Sequence, residues 1–278
     1  MFMKNLSFAV VFATFSVPAF AGSSYIAPDW DFRSGQGDTG SLSGNQIIGE
    51  VDNIDLNITA WSSSLHNNVS ACKDSYNEDL CIQQAQLKRY SGGLGAINGD
   101  EGNNTPDHSV DNDDQDYDMI LLSFSESVQL TSIYTGWNYT YYNGYASSQG
   151  TAGASVMAYV GGDSLGSTPF SSTDTWSSII GPSGWTQIES DTKRTGTSGG
   201  LDTLPVSSAD VYSKYWLVGA AHSVMRDAGR YTDHIKIAGI DFVKGTPPTS
   251  PGTAVNAPGA LILFLGSVGW IVGRRKTK

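Results

Sequence analysis

Helical periodicity is the first thing this chain lacks. Almost no segment between its two ends places apolar residues at the three- and four-residue spacing of an amphipathic helix, which argues against helix bundles and α/β layers. No tandem period is visible either, so a solenoid or propeller is disfavoured. Histidine is scarce: His66, His108, His222 and His234 are the only four, and they fall in no H-x-x-x-H or Cys/His array. Zinc chemistry is therefore unsupported. Basic residues are outnumbered, 16 Lys and Arg against 27 Asp and Glu, for a formal charge of −11. So acidic a surface repels DNA, RNA and anionic headgroups while attracting divalent cations, and a nucleic-acid role is disfavoured.

Motifs that generate chemistry are missing in the same way. Gly35-Gln-Gly37-Asp-Thr-Gly40 satisfies G-x-G-x-x-G, but no apolar strand precedes it and no helix-forming stretch follows, so it makes no dinucleotide site. Asp38-Thr39-Gly40 has no second such triplet with which to share a proton. Ser164 and Ser198 both sit in G-x-S-x-G, yet neither is followed by the helix that a nucleophile elbow needs. Paired carboxylates for glycoside hydrolysis require a separation that sequence does not give.

What is present begins with two unlike ends. Lys4 precedes an apolar core from Leu6 to Val17, and Ala19-Phe20-Ala21 has the small-x-small form cut by signal peptidase. Residues 1–21 therefore read as a signal peptide. In an exported chain Cys72 and Cys81, the only cysteines, are expected to form a local disulfide, a staple on one excursion worth about 2 to 3 kcal/mol by loop closure. At the other end, residues 245–255 form a Pro/Thr/Ser-rich spacer. An uncharged apolar run from Ala260 to Val272 follows, and then the basic end Arg274-Arg275-Lys276-Thr277-Lys278. With Ala257 to Gly259 the run approaches the roughly 17 residues at the lower limit for spanning a bilayer. The basic end acts as a stop signal and leaves the preceding chain outside.

Between the ends, residues 22–244 read as a β domain. Ile54, Leu56, Ile58 and Ala60 alternate against Asp55, Asn57 and Thr59 within a strand pattern running from Ile47 to Trp61. Residues 82–90 lean towards strand. Further apolar runs lie at Met119 to Phe124, Val128 to Trp137, Ala154 to Val160, Tyr215 to Ala221 and Ile235 to Val243, divided by Gly, Ser, Asp and Asn. This pattern predicts a mainly β ectodomain, an antiparallel β-sandwich or jelly roll, flanked by the signal peptide and a single C-terminal transmembrane helix. Residues 23–44 show no apolar period and read as a loop or loosely pinned segment.

Three stretches hold candidate site residues. Asp107, Asp111, Asp113 and Asp116 belong to an acidic region from Asp100 to Asp118 whose hard oxygens could hold calcium, although no EF-hand spacing fits and a solvated acidic loop is the alternative. His108, among these carboxylates, reads as a structural histidine holding a Val110-Asp111-Asn112 turn. Trp137-Asn-Tyr-Thr-Tyr-Tyr-Asn-Gly-Tyr145 carries five aromatics in nine residues. Trp137 and Tyr141 could stack on sugar rings, or the rings could pack over the sheet edge.

The order of the C-terminal parts resembles the PEP-CTERM sorting signal of bacterial exosortase substrates, whose Val-Pro-Glu-Pro reads here as Val255-Asn256-Ala257-Pro258. The resemblance gives residues 256–278 as motif, span and basic end, with Arg274, Arg275 and Lys276 setting orientation. The alternative is an ordinary C-terminal membrane anchor. The stretches Gly92 to Glu101, Pro106 to Asn112 and Asp116 to Phe124 are similar to a block found in many PEP-CTERM-type surface proteins. The resemblance implies a non-enzymatic protein of a Gram-negative bacterium, processed by signal peptidase and an exosortase-like protease. It would be held briefly in the inner membrane, then displayed at the surface or secreted into the matrix. No cofactor is expected beyond the calcium above. A surface-displayed carbohydrate-binding module or glycoside-acting enzyme, meeting extracellular polysaccharide, is the competing expectation.

Overall fold

The computed structural model describes residues 28–35, 41–63, 80–98, 108–112, 117–142, 145–149, 152–162, 164–166, 168–181, 183–192, 197–198, 200–208, 210–221 and 231–245. The elements in chain order are β1 (Trp30–Asp31), β2 (Ser41–Ser43), β3 (Gln46–Val51), β4 (Ile54–Ser63), β5 (Ile82–Tyr90), β6 (Gly93–Ile97), β7 (Val110–Asp111), β8 (Tyr117–Tyr142), β9 (Tyr145–Gln149), β10 (Ala154–Tyr159), α1 (Trp176–Ile179), β11 (Trp185–Thr192), β12 (Thr197–Ser198), β13 (Leu201–Pro205), β14 (Ser213–Ala220) and β15 (Tyr231–Lys244). The chain is mainly β and its paired strands run antiparallel. No helix among the described residues is long and apolar enough to cross a membrane. The expected signal peptide (1–21), spacer from Thr246 onward and sorting segment (256–278) lie outside the described residues.

One strand of 26 residues organises the rest. The first half of β8 pairs with β4 on one edge and β14 on the other. Val128 marks the hand-over, opposite Ser213 of β14 and Lys244 of β15. From there β15 takes over the edge that β4 occupied, while β13 and then β9 take the other. Between the halves Ser125 and Glu126 are exposed, and the Ser125 hydroxyl accepts a bond from the Asp55 N–H at 2.9 Å. Because β4 pairs with β5, β5 with β6, and β6 with β15 at Leu94 opposite Ile237, the hydrogen-bonded path returns to β8 and closes on itself.

The main core draws on the strands of that ring and on neighbours outside it. Ile54, Leu56 and Ile58 from β4, Leu87 from β5, Leu94 from β6, Ile120 and Leu122 from β8, Trp216 from β14 and Ile235 and Ile237 from β15 are buried together. Each such side chain removed from water stabilises by about 1.5 to 3 kcal/mol. A second cluster explains why Met119-Ile-Leu-Leu122 is continuously apolar instead of alternating. Met119 and Leu121 point away from the main core and are covered by Phe170, Trp176 and Ile179, so this half of β8 is buried on both faces. The cover is pinned by α1, whose Thr175 N-cap makes a capping box with Ser178, and by the Trp176 indole N–H, which donates to the Tyr117 carbonyl at 3.0 Å.

Several sequence expectations hold, and others need correction. Ile54, Leu56, Ile58 and Ala60 are the buried face of β4, and residues 82–90 are a strand. The pattern from Ile47 to Trp61 is a hairpin, not one strand. Val51 opposes Ile54 across Asp52 and Asn53, whose φ values of 54° and 58° give the two-residue turn that matches strand twist. Residues 28–32 are not loosely held. Trp30 and Phe32 are fully buried, Trp30 opposes Ile240, and the Phe32 N–H donates to the Ala238 carbonyl at 2.8 Å. Burial raises the Asp29 pKa above its ordinary value, opposed by the Phe242 N–H that it accepts and reinforced by Asp241 and Asp52 nearby.

The closure of the ring depends on Gly93. Its φ of +124° disfavours any side chain, and a Cβ there would lie 2.4 Å from the Ile237 carbonyl oxygen. Gly93→Ala should therefore destabilise the protein by about 3 kcal/mol or more, read as a lower urea midpoint with unchanged slope. An unchanged midpoint would show that β6 and β15 need not meet this closely.

Candidate functional site

Most of the sequence-derived candidates fall outside what the structure describes. Val255, Asn256, Ala257, Pro258, Arg274, Arg275 and Lys276 do, as do Asp107, Asp113, Asp116 and Cys72. Cys81 is disulfide-bonded. Asp111 is described, and its surroundings differ from those of an acidic loop. It lies in β7, 2% exposed, opposite His234 of β15. Asp118, read with it as part of that loop, is a buried residue of β8. Among the described residues no group of three or more His, Cys, Asp or Glu side chains is placed to hold a metal ion.

Around Asp111 the structure assembles a serine, a histidine and an aspartate. The Ser109 hydroxyl donates to Asp111 Oδ2 at 3.0 Å and lies 3.2 Å from His234 Nδ1, while that same nitrogen is 3.4 Å from Asp111 Oδ2. A hydrolytic triad needs serine and carboxylate on opposite nitrogens of the ring, with the hydroxyl open to substrate. Here both meet Nδ1, and Ser109 is fully buried. The group is a latch between β7 and β15. His234 meets this segment from β15, and Val110-Asp111 is strand rather than turn. His108 sets its ring 4.7 Å from that of Tyr90.

Asn112 extends the latch. Its amide donates to the Ala221 carbonyl, its side-chain oxygen accepts the Asp233 N–H, and its own N–H donates to the Asp233 carbonyl at 3.3 Å. The Asp233 carboxylate in turn accepts from Thr140 Oγ1 at 2.6 Å and from the Gly153 N–H at 3.3 Å. The block Ser109-Val-Asp-Asn112 thus carries polar side chains because three elements meet there and each buried polar group must find a partner.

The other candidate is the outer face of the second half of β8. Trp137 is half-buried and lies beside Tyr139, with ring centroids 6.1 Å apart and planes within 14° of parallel. Across the strand pair, Trp137 opposes Lys236. The Lys236 ammonium lies 4.1 Å from the Tyr90 ring centroid and 5.5 Å from that of Trp137, within the range of cation–π attraction. Burial lowers the Lys236 pKa from its ordinary value. Behind the rings the backbones touch, since a Cβ on Gly136 would lie 2.4 Å from the Gly92 carbonyl oxygen. Tyr141, the expected companion of Trp137, occupies β8 opposite Thr232, and its side chain lies outside the described ones. Tyr90, Tyr139 and Lys236 escaped sequence reasoning because they come from three strands; only Tyr139, two residues beyond Trp137, carried a visible signal.

Other motifs gain nothing. Ser164 is exposed in a stretch without strand or helix, and its hydroxyl accepts the Gly166 N–H at 3.0 Å, a local turn.

Removing the Asn112 amide should be costly. Asn112→Ala leaves the Asp233 N–H and the Ala221 carbonyl without side-chain partners in a buried place, and a loss of about 2 to 4 kcal/mol is expected by denaturant titration. A loss below about 0.5 kcal/mol, the range of an ordinary surface change, would contradict the latch. No protein-family model, curated protein or solved structure matches this chain, so its functional reading rests on its own residues.

Proposed function

We propose that this chain is an exported, non-enzymatic surface or matrix protein of a Gram-negative bacterium, processed at both ends and displayed as a β-sandwich ectodomain. The observation that carries the reading is the order of parts beyond the last described strand: spacer, uncharged apolar run, basic end. In this account residues 1–21 are removed by signal peptidase. Ala260 to Val272 sit as a single short helix in the inner membrane, Arg274 to Lys276 keep the tail on the cytoplasmic side, and an exosortase-like protease acts near Val255 to Pro258. The chemistry belongs to the processing enzymes.

Among the described residues, the serine–histidine–aspartate group is buried and has serine and carboxylate on the same ring nitrogen, which is not the arrangement of a hydrolytic triad. A second reading, display of a carbohydrate-binding module, is favoured by one observation, the near-parallel rings of Trp137 and Tyr139 on a half-exposed face. The two readings are compatible, since the tail would deliver whatever the domain binds with.

Intact mass of the protein recovered from the cell surface tests the processing. The expected form begins after Ala21 and lacks the basic end. A surface form that retains Arg274 to Lys278 contradicts processing and leaves a permanently anchored single-pass protein.

A further inference from the structure

The roof over the first half of β8, residues 168–181, covers a sheet face but holds little shape of its own. Phe170, Trp176 and Ile179 rest there on Met119, Leu121 and Leu217. Its helix α1 has four residues, far short of the length at which a helix sustains itself. The roof leaves β10 past Gly161 and rejoins β11 through Gly184, where the two backbones touch: a Cβ on Gly184 would lie 2.6 Å from the Gly161 Cα. This near end is secured by its own flanks. The Val160 N–H donates to the Gly184 carbonyl at 2.8 Å, and the Gly181 N–H to the Trp185 carbonyl at 2.8 Å.

The far end is bonded to the sheet at Tyr117 of β8, through the Trp176 indole, and at the opening of β5. There the Ile82 N–H donates to the Asp174 carbonyl at 2.7 Å, and Cys81 forms an isolated antiparallel bridge with Thr175. Cys81 Sγ itself lies 3.0 Å from the Ser172 carbonyl oxygen. Because Thr175 is the N-cap of α1, the junction that anchors the roof also orders its helix. Cys81 is disulfide-bonded, and Cys72 is the only other cysteine of the chain. A cross-link at the end of a strand removes conformations in which that end frays. Breaking it restores them at the residue that receives Thr175. The main core is a separate cluster, and none of its members belongs to the roof, so one can open while the other stays closed.

We propose that the Cys81 disulfide is a redox-sensitive clasp on this roof. Oxidised, it fixes the strand end on which Asp174 and Thr175 rest; reduced, it lets the roof lift from Met119, Leu121 and Leu217 while the main core stays folded. Opening takes two electrons and two protons from a dithiol reductant, which is left as a disulfide while Cys72 and Cys81 become thiols. Closing is the reverse exchange with a disulfide-bearing oxidant. Export, as proposed above, brings the chain to where such oxidants act, so the roof shuts after translocation. The clasp is tested in solution, and its failure leaves the exported reading standing. Amide hydrogen exchange of the full chain is measured intact and after dithiothreitol, with alkylation confirming two free thiols. The amides of Ser178 and Ile179, both bonded to the Thr175 carbonyl, should exchange about tenfold faster or more on reduction. Those of Ile120 to Leu122 and Ile235 to Ile237 should keep their rates. Cys81→Ser should match the reduced protein with no reductant present. Roof amides that keep their rate after full reduction overturn the clasp, because the bond then holds only its own excursion. Equal acceleration of roof and core amides also overturns it, since the bond then supports the domain as a whole.

Discussion

The pairing of β8 with different neighbours along its length is the constraint on which the rest of the structure depends. A strand of 26 residues cannot remain flat and share one set of partners throughout. At Ser125 and Glu126 it leaves β4 and moves to β15 on the same edge. That exchange brings the inward side chains of both halves, Ile120 and Leu122 before it and Val128 and Leu130 after it, onto one core. Without it, β14 and β15 would belong to separate sheets with no shared interior.

The two halves of β8 then differ in what covers their outer faces. The first is roofed by Phe170, Trp176 and Ile179, so its outward residues are Met119 and Leu121. Among the described residues no comparable roof covers Trp137 and Tyr139, which are half-buried. A single strand therefore supplies both the interior of the domain and its aromatic face. The polar latch lies between these roles. Ser109, Asp111, Asn112, Asp233 and His234 are buried and bonded across the two strands, which fixes β15 against β7 and so fixes Lys236 two residues further on. A group that looks catalytic by composition acts as a fastening because of which nitrogen it meets.

Local signals carried the sequence reading a long way. Alternation in β4 and the continuous run of Met119 to Leu122 were legible because burial of one face or of both leaves a periodic trace. The Asp52-Asn53 turn was also legible in principle, but its residues were absorbed into an apparent single strand. Trp30 and Phe32 were hidden because a two-residue strand has no period, and the segment is held against β15, more than 200 positions away. The same distance concealed the site. Asp111 looks like part of an acidic loop until β7 meets His234, and Lys236 looks like an ordinary surface lysine until β5 brings Tyr90 beside it. Net charge correctly counted the carboxylates but could not say which of them are inside.

The central claim is that β8 binds both halves of the domain into one cooperative unit, and amide hydrogen exchange under native conditions addresses it directly. The core amides of Ile120 to Leu122 and of Leu130 to Tyr134 should exchange with the same opening free energy, equal to that of global unfolding. Exchange of one group through a distinctly cheaper opening, while the other stays protected, would mean that the halves unfold separately and that the change of partner at Ser125 and Glu126 is a joint between two units.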